Sequence, residues 1–230
     1  MGIGDAGTPI LQAEGLFAGY GDLAAVRDLD LAVGAGEIVA LLGPNGAGKT
    51  TTLKTLAGAL PVLKGTVRWN GEVVTSALHR RVRKGMGFIP EERSVIGKLS
   101  VRDNLSLGRG SVEAALDMFP QLLPLLKRPG ALLSGGEQQM LTLARCLASK
   151  PSIMLVDELS LGLAPIVVKS LLSMLRTAAM ENGTAVLMVE QQVQRALSVA
   201  DRWYLLRHGA VSGSGVTAMT SVSDLADAYM

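Results

Sequence analysis

The chain has 230 residues, 48% hydrophobic and 18% charged, enough to bury one sizeable core in a single domain with room for an inserted subdomain. A formal net charge of +2, no Lys/Arg run and only 3% aromatic residues exclude a basic nucleic-acid stripe and the aromatic platforms on which bases stack. The single cysteine, Cys146, excludes an internal disulfide, fits a reducing compartment and reads as a structural thiol in an apolar helical run.

Residues 1–9 lack a basic stretch followed by a long apolar one, which predicts a flexible N-terminus and no signal peptide. Gly2 suggests myristoylation, but Ala6 stands where that motif has Ser or Thr. No segment approaches the roughly 18 apolar residues of a membrane span, so the chain is expected in the cytosol, with any membrane association supplied by a partner.

Strands are predicted over 10–20 and 29–33, followed by a buried strand over 37–42. That strand runs into Gly43-Pro44-Asn45-Gly46-Ala47-Gly48-Lys49-Thr50, and a helix over 50–60 follows. G-x-x-x-x-G-K-T between a strand and a helix is the pattern of a phosphate-binding loop. Its glycines let successive N–H groups turn inward toward phosphate oxygens, and the helix start presents its positive end to the same anion. Lys49 is expected at the β- and γ-phosphates, Thr50 at magnesium, and Thr51 within the same nucleotide-binding set. The alternative, a glycine-rich turn before an ordinary helix, explains neither the Lys-Thr pair nor the flanks.

A hairpin is predicted over 65–74, with Asn70-Gly71 as its type I′ turn, then a short helix over 76–84 and a strand over 87–90. Ser100-x-x-Asp103 is a capping-box-like start, and helical periodicity continues to 127 with a break near 108–110. Pro129-Gly130 ends that stretch, and a new helix spans 134–148. Alternation then returns: strand 153–156, helix 165–180, strand 185–189, helix 193–199, strand 203–206. Strands alternating with helices imply a parallel sheet, so the middle third is a helical insertion in an α/β core.

Asp157 and Glu158 follow a run of four apolar residues, 153–156. Ligands of open α/β sheets bind at the carboxyl ends of strands, so this pair and the phosphate loop can share one crevice. Asp157 fits a magnesium-side carboxylate and Glu158 a general base for the attacking water; a solvated turn is the alternative. Leu133-Ser134-Gly135-Gly136-Glu137 opens the 134–148 helix as a capping box. Two glycines are poor helix formers, and they make sense where a phosphate must approach the backbone.

GPNGAGKT, LSGGE and IMLVDE, in that order, resemble the ATP-binding subunit of ABC transporters, and the resemblance spans residues from about 10 to 207. It implies a P-loop NTPase (RecA-like) α/β core with an antiparallel β subdomain and an inserted α-helical subdomain. The implied boundaries are core at 10–92 and 151–230 and helical subdomain at 93–150, within one domain from 10 to 230. It also implies a head-to-tail pairing with a second ATPase subunit, same or different, in which ATP lies between one phosphate loop and the partner's Ser134, Gly135, Gly136 and Glu137. ATP and Mg2+ are the implied cofactors, and transmembrane permease subunits the implied partners at the inner face of the membrane. Tyr20 stands where the family places an aromatic under adenine, a core or turn tyrosine being the alternative.

Residues 88–93 (FIPEER), 99–105 (LSVRDNL), 162–165 (GLAP), 189–192 (VEQQ) and 227–229 (DAY) resemble branched-chain amino-acid importers, and the VEQ pattern their second ATPase subunit. Glu91 replaces a Gln and Gln191 a His found in many ABC proteins, with roles at the γ-phosphate and, for Glu91, beside the metal. A glutamine donates hydrogen bonds but shuttles no proton. Leu159 and Leu161 replace a Pro and a Glu in the loop after the acid pair. A urea or amide importer, a soluble non-transport ATPase and a weakly hydrolysing regulatory subunit are the alternatives. His79 and His208 read as surface residues, and in the 91–99 loop Val95, Ile96 and Leu99 are candidates for apolar contact with the membrane subunit, tucking the loop into the core being the alternative.

Overall fold

A computed structural model describes residues 8–222 and 225. Gly2, Ala6 and the 227–229 segment lie outside the described residues.

Two sheets stack around helices. The first is antiparallel in the order β2-β1-β4-β5, from β1 (Leu11–Tyr20), β2 (Leu23–Val33), β4 (Val62–Trp69) and β5 (Glu72–Val73). Asn70 and Gly71 join β4 to β5 with φ of 52° and 79°, the left-handed pair that a type I′ turn requires. The second sheet has the order β10-β9-β3-β8-β7-β6, from β3 (Ile38–Leu42), β6 (Met86–Ile89), β7 (Ile153–Asp157), β8 (Ala185–Val189), β9 (Arg202–Arg207) and β10 (Ala210–Val216). β9, β3, β8, β7 and β6 run parallel, and β10 is an antiparallel edge.

Both faces of the parallel sheet are covered, which is why its strands read as unbroken apolar runs. Side chains alternate across the pleat. In β3, Ile38, Ala40 and Leu42 join one core cluster with the helices α5 (Gly135–Leu147) and α6 (Pro165–Asn182). Val39 and Leu41 join the other, with the antiparallel sheet and α1 (Lys49–Ala57). Arg81, buried on α2 (Leu78–Arg83), donates to the carbonyls of Leu56, Ser76 and Val74 and so ties off the end of α1.

Between β6 and β7 lie α3 (Val101–Ser106), α4 (Val112–Met118), a 3-10 segment (Pro120–Leu125) and α5. The Ser100–Asp103 capping box forms in both directions. Helix does not persist to 127, because Pro120 and Pro124 lack the N–H groups an α-helix needs, and the chain tightens into 3-10 turns. Two strands depart from expectation. β2 begins at Leu23 rather than 29, and β10 was not foreseen, since its AVSGSGV sequence is poor in strand formers. The β9–β10 turn is His208-Gly209, with φ of 48° and 82°, so His208 is the turn residue expected of it.

Candidate functional site

β3, β8, β7 and β6 are parallel neighbours, so their carboxyl ends share one edge. Leu41 and Asp157 both pair with Val189, which puts three strand ends at one level. Topology alone thus delivers the 43–50 loop, Glu190-Gln191, Asp157-Glu158 and Glu91 to a common rim.

The phosphate loop leaves β3 at Gly43, where an added Cβ would lie 2.2 Å from the Leu206 carbonyl oxygen. Gly48, at φ 102°, precedes α1, and no side chain caps that helix. The donors of its first turn are therefore left to an anion. The Lys49 ammonium is buried at the loop's base, donating to the carbonyls of Gly43 (2.7 Å) and Pro44 (3.0 Å). Burial lowers its pKa, while the charges of Glu158, Asp157 and Glu190 oppose that shift. A cleft of about 520 Å³ opens here, lined by Asn45, Gly46, Gly48, Lys49, Thr50 and Thr51 on one side and by Glu91, Glu158, Leu161 and Gln191 on the other.

The Thr50 hydroxyl lies 3.3 Å from Asp157 Oδ1, and Asp157 Oδ2 is buried without a hydrogen-bond partner. Burial pushes the Asp157 carboxyl up to about 6; the Thr50 hydrogen bond offsets this, and Glu158 and Glu91 add to it. A carboxylate raised above its unfolded value costs stability once pH rises through that window, and a cation beside it removes the cost. The pair therefore suits a magnesium ion. Among the described residues no three His, Cys, Asp or Glu side chains gather into a metal cage, so phosphate oxygens and water would complete the shell.

Glu158 has a left-handed backbone, φ 45°, held by its N–H to the Val189 carbonyl (3.1 Å). Its Oε1 accepts from Gln191 Nε2 at 2.6 Å. A non-glycine residue kept in that region is strained, and such strain collects at functional sites. Leu159 is buried in the core, filling the position expected of a proline, whereas Leu161 stays exposed at the cleft.

Other expected residues lie apart. Tyr20 ends β1, 57% exposed, and does not line the cleft. Ser134, Gly135, Gly136 and Glu137 open α5 outside it as well. Ser134 accepts from the Glu137 N–H (3.3 Å) and its own N–H donates to the Glu137 carboxylate (2.6 Å), which lowers the Glu137 pKa. The glycines also have a reason inside the chain. A Cβ on Gly135 would sit 2.7 Å from the Arg93 guanidinium, and one on Gly136 3.1 Å from Val167. Close approach by a ligand is not their sole explanation.

The 91–99 loop is laced to α5. Arg145 donates to the Ser94 carbonyl (2.5 Å), and Arg93 to Gln138 Oε1 (3.5 Å). Val95 and Leu99 are half-buried, with Val95 packed on Gly130, so the loop's exposed apolar residue is Ile96, at 48%. A groove of about 210 Å³ nearby is lined by Met86, Phe88, Leu107, Arg109 and Cys146 among others. Burial pushes the Cys146 thiol up to about 12, the inert thiol expected from its helix.

Sequence reasoning missed a second group of polar side chains. Glu190 is 3% exposed; its Oε2 accepts from the Ser160 hydroxyl (2.8 Å) and its Oε1 from the N–H groups of Gln191 (3.0 Å) and Gln192 (3.2 Å). Arg195 donates to Ser160 Oγ at 2.9 Å. The available signal was an acid ending an apolar strand, the same cue that singled out Asp157.

The chain is similar to known proteins in sequence and in fold. The pattern of the family described as "ABC transporter" matches residues 26–160. The branched-chain amino-acid transport ATP-binding protein BraG of Pseudomonas aeruginosa is 37% identical, over 92% of this chain and 95% of its own. The probable LivF of Archaeoglobus fulgidus is 35% identical over 90% and 92%. The lipopolysaccharide export ATP-binding protein LptB of Escherichia coli K12 is 36% identical over 89% and 90%. An ATP-binding subunit of an ABC transporter superposes with a TM-score of 0.83 at 25% identity, covering 96% of this chain and 99% of that one. A dimeric ATP-binding cassette bound to ADP and Pi does so at 0.79 and 22%, covering 90% and 98%, a likeness of fold. The phosphate loop, the acid pair at the end of β7 and these matches along nearly the whole chain place it in the ABC transporter ATP-binding family of ATPases.

Proposed function

We propose that this chain hydrolyses ATP to drive an importer of branched-chain or related amino acids. The observation that carries the chemistry is the convergence of Lys49, Thr50, Glu91, Glu158 and Gln191 on one cleft. The identity to BraG and LivF supports the transported class. Lys49 and the N–H groups of the loop hold the phosphates, and Tyr20 stacks on adenine. Thr50 and Asp157 would hold Mg2+, with Glu91 beside it, and the ion would supply charge neutralisation at the phosphoryl group. Glu158 takes the proton of the attacking water, and Gln191 orients around the γ-phosphate. The core comprises 10–92 and 151–230, and 93–150 is the helical subdomain.

The working unit is a head-to-tail pair on permease subunits at the inner face of the membrane. Among the described residues no helix is long and apolar enough to cross a membrane, so the permease would supply the anchorage. Uptake of labelled leucine by proteoliposomes holding the chain, its permease subunits and a leucine-binding protein tests this. Uptake that requires ATP and the binding protein is expected, and its absence would overturn the importer reading. The identity to LptB favours a second reading, powering lipid export, which ATP-driven extraction of lipopolysaccharide would reveal.

Ser134→Ala separates a cap from a ligand. As a cap alone the hydroxyl is worth about 1 kcal/mol. As a donor to the partner's ATP its loss lowers turnover by at least about tenfold in a folded protein, while ATP binding to the monomer is unchanged. Turnover falling only with the folded fraction, measured by thermal unfolding, would leave Ser134 a cap.

Ile96→Asp tests the membrane-subunit contact. The 91–99 loop would receive a short helix of the permease, with Ile96 as its exposed apolar contact. The substitution is expected to leave ATP affinity within about twofold and to abolish co-purification with the permease, since an unpaired charge in an apolar contact costs several kcal/mol. Normal assembly and transport would move the contact elsewhere.

A further inference from the structure

Burying a carboxylate is expensive unless donors satisfy it, and an apolar residue in its place is often as stable. Glu190 is buried at the rim of the candidate site, where it lines a small cavity of about 160 Å³ with Glu158, Ser160 and Gln191. Its oxygens are committed to the Ser160 hydroxyl and to two consecutive backbone N–H groups, those of Gln191 and Gln192. Those bonds fix the start of the loop that aims Gln191 Nε2 at Glu158 Oε1, 2.6 Å away. Ser160 belongs to the loop that leaves Glu158, and Arg195, from α7 (Val193–Leu197), holds the same hydroxyl. One carboxylate therefore staples the loop after β7 to the loop after β8, on either side of the base.

We propose that Glu190 is a positioning residue for hydrolysis, holding Gln191 and the 159–163 loop in the register that Glu158 requires. Its carboxylate is bonded to Ser160 and to the N–H groups of Gln191 and Gln192, and it acts through them. The inference rests on the assignment of Glu158 and Gln191 to the hydrolytic step, which the loss of turnover in Glu158→Gln tests separately.

The experiment is a double-mutant cycle on the full chain with Mg-ATP, reading kcat, KM and the folded fraction. Glu190→Ala removes the acceptor of both N–H groups and of the Ser160 hydroxyl. Misplacement of a reacting group by about 1 Å costs up to roughly a hundredfold, so a fall in kcat of about ten- to a hundredfold is expected, with KM for ATP changed less than about threefold. Glu190→Gln keeps an acceptor for the two N–H groups and should recover most of that loss. Ser160→Ala removes two bonds, the one to Glu190 and the one from Arg195, but leaves the N–H groups satisfied, so its effect should be smaller and its fold intact. If Glu190 acts through Gln191, Glu190→Ala added to Gln191→Ala lowers kcat little further, because coupled residues are not additive. Losses that multiply in the double variant, a kcat loss that tracks the unfolded fraction, or normal kcat in folded Glu190→Ala would each overturn the proposal. If Glu190→Ala does not fold, the Ser160→Ala and Ser160→Ala/Gln191→Ala pair decides by the same criterion.

Discussion

Glu158→Gln is expected to lower ATP hydrolysis by about two to four orders of magnitude, the range that general-base catalysis supplies. The amide matches the carboxylate in size, and its Oε1 can still accept from Gln191 Nε2, so the geometry of the rim survives while the proton acceptor is lost. The phosphate loop is untouched, and ATP affinity should stay within about threefold of the parent chain. With binding intact and turnover blocked, the variant should accumulate as an ATP-loaded pair, visible by size-exclusion chromatography with Mg-ATP. Steady-state phosphate release checks the rate. Turnover within about tenfold of the parent would remove Glu158 as base. The strained backbone of Glu158 makes the test sharper. A glycine would sit there without strain, so a side chain is being kept at a cost of about 1–3 kcal/mol.

Lys49→Ala should act earlier, on binding. The ammonium is buried among loop carbonyls with Asp157, Glu158 and Glu190 close enough to favour its charge. Charge-assisted hydrogen bonds contribute about 1.5–3 kcal/mol each, so losing the contact to the β- and γ-phosphates should weaken ATP binding by about ten- to a hundredfold or more. Without its cation, the cleft also leaves Glu158 and Glu91 facing the triphosphate. Calorimetric titration checks the affinity, and an unchanged dissociation constant would take Lys49 out of the phosphate site.

The phosphate loop and the acid pair were legible in the sequence because each is local: glycines, a lysine and a hydroxyl at fixed spacing, and acids ending an apolar run. Their meeting was also legible, since parallel strands deliver their carboxyl ends to one edge. Glu190 was not, because its partners Ser160 and Arg195 are joined to it by strand order, with β8 lying beside β7. The glycines opening α5 pointed to a ligand, yet Arg93 and Val167 from elsewhere in the chain crowd the same positions. Val95 read as a contact residue and is half-buried on Gly130, a packing partner that periodicity does not name. β10 escaped because serine and glycine are weak strand formers, and the edge of an existing sheet recruits them.

The bonds from Arg145 and Arg93 that bind the 91–99 loop to α5 carry a consequence for timing. Glu91 lines the cleft proposed for the nucleotide of its own chain, while α5 begins with the residues proposed to meet the nucleotide of the neighbour. In a head-to-tail pair, each chain is then a tie-rod strung between two fuel molecules. On that proposed pairing, a displacement at one molecule would be felt at the other, so the two sites would not act independently.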